Sequence, residues 1–449
     1  MSPVHRPVPR GTPRGWALLV LAAGLLRAAP PAAAQAPAPA ISLSEAVSRA
    51  LASRPELARG TGAVRAARAA ERAAVGAYLP SLAVETNAMR ATTPSPVAQP
   101  GAAGGAADRT AAVGLTSAID VFTAGRRGAE RRRAGAESEQ SEAALVAARF
   151  AVVLDTKRRF FDVVRGAELR RVAAARVERA TEGLAAAALR HRVGVATGSD
   201  ELRARLELTN ARQELLQAEA ARRTATFALA RAVGMDGAVE AQPPDSLAPA
   251  PLPLADDALL AEIARATPSV RAAASAELAA EAGVDVAHAR YAPTVQLTGG
   301  YRWLAQRGAA APATGAADGA PLWGLRLGMS YALFDGWQRE QVVERAAAER
   351  DAAAAELADS RRLARAEAER VLAALHVAEE RIALAEEGVQ VAREDLRVVS
   401  ARYRAGAAAI LDRITSQLNL ATAETTLVAV RHDYQVARAE LEALVGREL

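Results

Sequence analysis

The residue types that usually carry chemistry are sparse in this chain of 449 residues. Cysteine is absent, Lys157 is the only lysine, and five histidines lie far apart without the spacing of metal ligands: His5, His191, His288, His376 and His432. The sequence contains no glycine-rich loop followed by lysine, no nucleophile elbow and no zinc motif. It therefore predicts a protein that is not an enzyme and that holds no metal ion or other cofactor.

Two aspartates are notable for where they lie. Asp200 follows Gly194 by six residues, and Asp412 follows Gly406 by the same spacing. Glycine readily takes the left-handed conformation that lets one helix reverse into the next. An acid shortly after such a turn lies in the first turn of the new helix, where the helix dipole favours it. The spacing predicts two helical hairpins, each with a glycine at its turn.

The N-terminal segment has the pattern of a secretory signal peptide. Arginines precede an apolar run at residues 16–26, and alanines at 32–34 offer a cleavage site. The run is too short for a membrane-spanning helix, which needs about 20 residues. We expect residues 1–35 to be removed on export. Without the four arginines of this segment the formal net charge falls from +5 to +1, so nucleic acid is not an expected partner.

The rest of the chain contains an internal repeat, which predicts a tandem duplication. Five landmarks recur 212 or 213 residues apart: Pro55 and Pro268, Tyr78 and Tyr291, Phe122 and Phe334, Gly194 and Gly406, and Gly234 and Gly446. We expect a first repeat at 36–235 and a second at 255–449. The segment 236–254 between them contains five prolines and is expected to be a linker or strap.

Each repeat has the pattern helix, strand, loop, strand, long helix, turn, helix. A capping box of Ser42 and Glu45 opens the first helix, which should run to about Ala77 with a kink or break at Pro55. The long helices are expected at about 124–190 and 338–404, roughly 100 Å each. The shorter ones, at about 44–77 and 199–233, would equal one long helix when stacked, as in the wall of a cylinder.

Heptad spacing on the second long helix indicates coiled-coil packing. Two apolar series repeat every seven residues: Leu375, Ile382, Val389, Leu396 and Tyr403, and Val371, Ala378, Ala385, Ala392 and Val399. By itself this pattern favours an ordinary antiparallel coiled coil.

Alternating segments favour membrane strands instead. Residues 295–303 and 323–333 alternate apolar and polar side chains, with aromatic residues at Tyr301, Trp303, Trp323 and Tyr331 expected at the membrane interfaces. Residues 82–86 and 113–121 form a weaker pair, and Ala/Gly/Pro-rich segments at about 91–109 and 305–320 would be external loops. A soluble hairpin is the alternative for each pair. Four strands cannot close a barrel, and open edges are forbidden in lipid, so a symmetric ring of copies is expected.

These residues resemble the TolC-type outer-membrane efflux protein family. The resemblance spans the expected mature chain. It rests on residues 42–46 with 55–57, on Tyr-x-Pro at 78–80 and 291–293, on residues 333–337, and on residues 402–412 with their counterpart at 190–200. It implies a homotrimer whose outer-membrane β-barrel takes four strands from each protomer and continues into a long antiparallel α-helical coiled-coil tunnel in the periplasm. The expected fold is thus mixed α and β.

The resemblance also implies partners and sites. A periplasmic adaptor (membrane fusion) protein and an inner-membrane pump would dock at the tip turns, around Val193, Gly194, Val195, Ala405, Gly406 and Ala407. Asp412, with Asp200 as its counterpart, would line the pore constriction, where related chains carry a second acid at the position of Thr415. Capping of a helix is an equally good explanation of these acids.

The expected function is passive conduction through the outer membrane for a tripartite efflux or type I secretion system. A periplasmic adaptor, which would carry one hairpin flanked by compact β domains, and a secreted coiled-coil scaffold without a pore are the alternatives.

Overall fold

The computed structural model describes residues 39–92, 107–244, 248–249, 256–307 and 320–447. The predicted signal peptide and most of both predicted external loops lie outside these residues. None of the helices within the described ranges has the long apolar stretch that crossing a membrane would require.

For the first helix the sequence predicted either a kink or a break at Pro55, and the structure has a break. Helix α1 spans Leu43–Ser53 and α2 spans Pro55–Gly76, with Arg54 extended between them (ψ 127°). Extended backbone is what a residue before proline prefers. The capping box is only half correct: Ser42 Oγ accepts a hydrogen bond from the Glu45 amide at 3.3 Å. The Glu45 carboxylate instead accepts from Arg49 Nε at 2.9 Å.

Two long helices form the main length of the protein. Helix α3 spans Arg126–Arg192 and α7 spans Gln338–Arg404, with 67 residues each. Helix α4 (Gly198–Ala232) returns along α3, and α8 (Ile410–Val445) returns along α7. In the second half, α5 (Asp256–Ala266) and α6 (Pro268–His288) repeat the break at a proline. A short 3₁₀ turn, Ala289–Tyr291, follows α6.

The shorter helices meet end to end at the same place in both halves. A Cβ added to Gly234, just after α4, would lie 2.6 Å from Ser53 Cβ at the end of α1. A Cβ added to Gly446, just after α8, would lie 3.4 Å from Pro268 at the start of α6. Both glycines have positive φ, 69° and 77°. The helices therefore abut at the proline breaks, and glycine permits the close approach.

The helices lie side by side in a defined order. Helix α3 packs against α2, α4, α6 and α8, whereas α7 packs against α5, α6 and α8. This order puts α2 and α4 on one lateral edge of the chain and α7 on the other. The predicted heptad residues Val371, Leu375 and Ile382 are buried in one hydrophobic core cluster with Tyr434 of α8, and Val389 is buried farther along α7.

Four strands form one antiparallel sheet in the order β2-β3-β5-β6. They are β2 (Ser81–Thr92), β3 (Ala107–Phe122), β5 (Thr294–Arg307) and β6 (Ala320–Ser330). The pairing of β3 with β5 joins the two halves in one sheet. The fourth strand ends at Ser330, three residues before the predicted end, so Tyr331 lies in the connection to α7.

Part of the predicted linker is held by the fold. Strand β4 (Glu240–Ala241) pairs in parallel with β1 (Ala40–Ile41). Ile41 and Val239 are buried in a core cluster with Phe160 and Leu229. Nothing in the alternation of these short segments predicted this pairing, because two residues are too few to establish a strand pattern.

Candidate functional site

Both hairpin tips have the turn geometry that the sequence predicts. Gly194 and Gly406 each have φ 79°. The amide of Val195 donates to the Arg190 carbonyl at 2.9 Å, and the amide of Ala407 donates to the Arg402 carbonyl at 2.8 Å. The Gly194 amide donates to the His191 carbonyl at 3.0 Å, and the Gly406 amide donates to the Tyr403 carbonyl at 3.1 Å. Both turns are therefore Schellman motifs. Val193 and Val195 are largely exposed, as are Ala405 and Ala407.

The two tip aspartates cap the returning helices. Asp200 Oδ2 accepts from the Thr197 amide at 3.1 Å, and Thr197 Oγ1 accepts from the Asp200 amide at 3.3 Å. Asp412 Oδ2 accepts from the Ala409 amide at 3.0 Å, but alanine has no oxygen to complete a reciprocal pair. Asp412 and Thr415 are exposed, whereas Asp200 is half-buried and lies 3.9 Å from Arg203. The capping role is therefore real, and it leaves Asp412 open to solvent.

An arginine–tyrosine contact that the sequence did not predict ties the two tips together. The ring of Tyr403 lies between two guanidinium groups, with Arg190 of α3 at 4.9 Å and Arg413 of α8 at 5.9 Å from its centroid. Arg190 Nη1 also donates to the Tyr403 carbonyl at 2.6 Å. Arg413 is buried against Gly183, and this burial lowers its pKa. These contacts fix the start of α8 against α3 close to both turns.

The sheet has one strongly apolar face. Cross-strand rows place Val84, Leu115, Tyr301 and Trp323 side by side. The apolar side chains of this face remain exposed, for example Val84 and Leu325 at 70% each. Soluble proteins rarely leave so large an apolar surface open to water. This surface therefore matches the lipid-facing side that the alternation predicted.

The predicted interface aromatics lie at two ends of this apolar face. Trp303 and Trp323 lie toward the loop end of the sheet, Tyr301 lies beside Trp323 at the middle of β5, and Tyr331 is at the helix end. Eight residues separate Trp323 from Tyr331, or about 26 Å at the usual strand rise. This spacing agrees with the apolar band of about 25 Å in outer-membrane strands.

At the helix end, sequence analysis missed several members of the aromatic group. Phe334 and Trp337 are exposed there and stack edge to face with centroids 6.3 Å apart. Arg127 lies over the Tyr78 ring at 4.9 Å, and Arg339 lies over the Tyr291 ring at 5.3 Å. The two arginines are 212 residues apart, so extending the repeat comparison by five residues would have found them.

Arg339 lies over a second ring, that of Tyr331, at 5.9 Å, and it also has a carboxylate partner. Its Nε lies 3.1 Å from Asp335 Oδ2, and the same oxygen accepts from the Arg339 amide at 3.2 Å. A hydrogen bond with Tyr331 is the main cause that raises the pKa of Arg339. The junction of β6 and α7 is thereby fixed at the edge of the apolar face.

Both lateral edges of the chain expose apolar stripes. On α7, Val377, Leu384, Val391 and Val398 repeat every seven residues and are exposed. Each lies two residues after a predicted heptad residue, of which Leu375, Ile382 and Val389 are buried and Leu396 is half-buried. This exposed α7 stripe is therefore about 200° around the helix from the core. On α4, an exposed α4 stripe contains Leu202, Leu206, Leu216 and Phe227. Sequence analysis did not single out either stripe.

No cluster of three or more acidic, histidine or cysteine side chains that could hold a metal ion occurs among the described residues.

A family model described as outer membrane efflux protein matches residues 46–235 and 259–447. Protein CyaE of Bordetella pertussis is 28% identical over 334 residues, which cover 72% of this chain and 68% of CyaE.

Solved structures show the same fold. The outer membrane protein VceC of Vibrio cholerae superposes with a TM-score of 0.77 at 20% identity, covering 90% of this chain and 96% of VceC. The CmeC outer membrane channel of Campylobacter jejuni gives 0.78 at 17% identity, covering 90% and 85%. Because the family model spans most of both halves, the chain belongs to the outer membrane efflux protein family and is an outer-membrane exit duct of efflux or secretion systems, with a long periplasmic helical extension.

Proposed function

We propose that this protein acts as a homotrimer in which the strands of three copies close one β-barrel and the helices form one tunnel. The duct conducts cargo passively, while a periplasmic adaptor and an inner-membrane pump supply energy and selection. Proteins of this family work with such partners. The observation that carries the proposal is that both lateral edges of the chain are open and complementary.

The sheet edges support ring closure. Within the described residues, β2 and β6 are the outer strands and pair on one side only. Unpaired strand edges are not tolerated in lipid. The free edges of β2 and β6 are different surfaces, so β6 of one copy would pair with β2 of the next. Head-to-tail pairing of this kind generates a ring rather than a two-fold dimer.

The helix edges support the same arrangement. Measured from the tip at 1.5 Å per residue, the exposed α7 stripe spans heights of about 9 to 40 Å, and the exposed α4 stripe spans about 6 to 44 Å. The two stripes therefore lie at matching heights on opposite edges of the chain. Contact between α7 of one copy and α4 of the next would bury both.

The same symmetry gives the duplication a role. The two halves share the proline break and the contact that Gly234 or Gly446 makes there. They also share the tip turn and the Arg–Tyr contact of Arg127 with Tyr78 or of Arg339 with Tyr291. We propose that they are the products of a tandem duplication, joined by the 236–254 segment. A ring of three duplicated chains then has six similar hairpins around its axis.

The tips provide the docking and constriction sites of the proposal. Val193, Gly194, Val195, Ala405, Gly406 and Ala407 form the end of the chain farthest from the sheet, where the adaptor would bind. Asp412 and Thr415 are exposed in the first two turns of α8, next to that end. In a three-fold ring Asp412 becomes three carboxylates, which would attract cations at the constriction. Asp200, which is engaged with Thr197 and Arg203, contributes less.

Two cysteines placed across the predicted contact test the trimer. The chain contains no cysteine, so Val391→Cys with Gln213→Cys adds the only thiols, both at exposed positions of similar height. Oxidation in the periplasm should produce a covalent trimer on a denaturing gel. The control pair, Ala383→Cys with Gln213→Cys, moves one cysteine off the α7 stripe and should remain monomeric on the gel. A soluble monomer that gives no crosslink in either pair would contradict the duct and favour a scaffold.

A single cysteine tests the docking end. Ala407→Cys at the tip should form a photo-crosslink to a periplasmic adaptor in living cells when labelled with a thiol-reactive probe. Ala383→Cys, midway along α7, is the matched control and should capture no adaptor. Labelling of Ala407→Cys from outside the cell, without capture, would mean that the tip is misplaced.

A further inference from the structure

The face of the sheet opposite the apolar one, here called the inner face, is built largely from glycine, alanine, serine and threonine. Among its described side chains only Glu85, Asp120, Arg302 and Arg326 are charged. In the proposed trimer this face lines the lumen, and these four residues are the charges that its described side chains contribute.

Three of the four charges have an opposite charge nearby. Asp120 Oδ2 lies 3.3 Å from Arg126, and Asp120 Oδ1 accepts from Gln296 at 3.1 Å. Glu85 and Arg302 share one cross-strand row with Gly114 between them. Their backbones are two strand spacings apart, about 10 Å, close enough for their fields to cancel in part.

Arg326 has no such compensation within its own chain. Its cross-strand row contains Thr298, Ala118 and Ser81, and no acid. Arg326 is exposed and makes no ion pair or hydrogen bond among the described residues. On its own strand it stands between Gly324 and Gly328, where an added Cβ would meet no atom within 4 Å.

The surroundings of Arg326 form an open basin at the end of the sheet nearest the helices. A cavity of about 490 Å³ is lined by Arg326, Thr298, Gln296, Asp120 and Arg126. The charged residues that line the basin are Arg326, Arg126 and Asp120. Because Arg126 lies 3.3 Å from Asp120, those two charges offset each other, and the remaining charge of the lining is that of Arg326.

We propose that Arg326 forms a cationic ring at the neck of the duct and makes this part of the lumen selective for anionic cargo. The inference rests on the proposed trimer, which turns one guanidinium into three around the axis. Guanidinium groups bind carboxylates and phosphates through paired hydrogen bonds, and a ring of like charges sets the ion preference of a pore. The favoured cargo carries carboxylate, phosphate or sulfate groups, and polycations are disfavoured.

Side-specific block in planar bilayers tests the ring apart from the tip. Trivalent citrate, added only on the side of the sheet, should block the wild-type conductance in a voltage-dependent manner. Arg326→Gln should weaken that block at least tenfold while leaving the conductance without citrate intact. Arg326→Lys retains the charge but not the paired donors, so its block should be intermediate.

Arg302→Gln is the matched control, because it removes an arginine from the same face whose charge Glu85 offsets. It should change citrate block less than threefold. Equal block of wild type and Arg326→Gln, in channels that conduct normally, would overturn the inference and leave the duct intact. A wild-type trimer that forms no conducting channel would overturn the proposed duct and this ring with it.

Discussion

Helices α3 and α7 have the same length and corresponding positions in the two halves, yet they bury their surfaces very differently. Helix α3 has neighbours on both sides and leaves only Leu189 exposed among its large apolar side chains. Helix α7 exposes five: Leu363, Val377, Leu384, Val391 and Val398. Both helices lie wholly within the described residues.

The difference shows that the position of a helix in the fold, and not its amino-acid composition, determines how much of its apolar surface is buried. Both helices are rich in alanine, arginine and glutamate. Helix α3 is covered on both sides by other helices of its own chain. Helix α7 lies at an edge, and no other part of the described chain covers its apolar stripe. Unused apolar stripes at helical spacing mark an assembly surface.

The largest effect is expected from charging the exposed α7 stripe. Leu384→Glu with Val391→Glu places two carboxylates on the proposed contact and should abolish the trimer, because buried unpaired charges are strongly unfavourable. Size-exclusion chromatography with light scattering measures the assembly. Ala383→Glu with Gln390→Glu is the matched control, one residue earlier at each site, and should leave the trimer intact. Equal loss in both pairs would mean that the stripe has no special role.

Truncation on the two faces of α7 should separate folding from assembly. Leu375 is fully buried, so Leu375→Ala should lower the free energy of unfolding by about 2–5 kcal/mol. Leu384→Ala on the exposed stripe should change the unfolding of the monomer by less than about 0.5 kcal/mol. Guanidinium unfolding of the detergent-solubilised protein, followed by circular dichroism under monomeric conditions, compares the two. A similar loss from both would contradict the assignment of faces.

The helix ends of the two halves should differ in their tolerance of a methyl group. Gly446→Ala meets Pro268 only at 3.4 Å, so its cost is chiefly that of a positive φ, about 1–2 kcal/mol. Gly234→Ala has the same strain and also collides with Ser53, which adds about 1–3 kcal/mol. Thermal unfolding of both variants checks the order. Ser53→Gly should rescue Gly234→Ala but not Gly446→Ala, and failure to rescue would exclude the collision as the cause.

The smallest expected effect is a gain of stability at the second tip. Ala409 has φ −79° and ψ 159°, close to the −83° and 157° of Thr197, which caps the first tip. Ala409→Thr should therefore complete the reciprocal cap with Asp412 and stabilise the protein by about 0.5–1 kcal/mol. Ala409→Val has the same shape without the hydroxyl and should give no gain. A melting temperature raised equally by both would argue against capping.

Much of the architecture follows from local pattern. The long helices, the break at Pro55 and the positive φ of Gly194 and Gly406 depend on residues close in sequence. The same holds for the heptad burial of Leu375 and Ile382. Prediction failed where a partner lies far along the chain. The β1–β4 pairing and the contact of Tyr403 with Arg190 involve such partners, and no local spacing encodes them. Glu45 was misassigned because Arg49 competes for its carboxylate.

The sequence by itself determined the repeated elements, the family to which the chain belongs and the two faces of each strand, because side-chain periodicity is a local property of helices and strands. Only the tertiary structure decided which helix is central and which is at an edge, since that depends on the order in which distant elements pack. It also decided that Arg326 stands alone while Asp120 and Arg302 have opposite charges near them. For Arg302 the compensation is set by cross-strand register, which places it in one row with Glu85, 217 positions away in the chain.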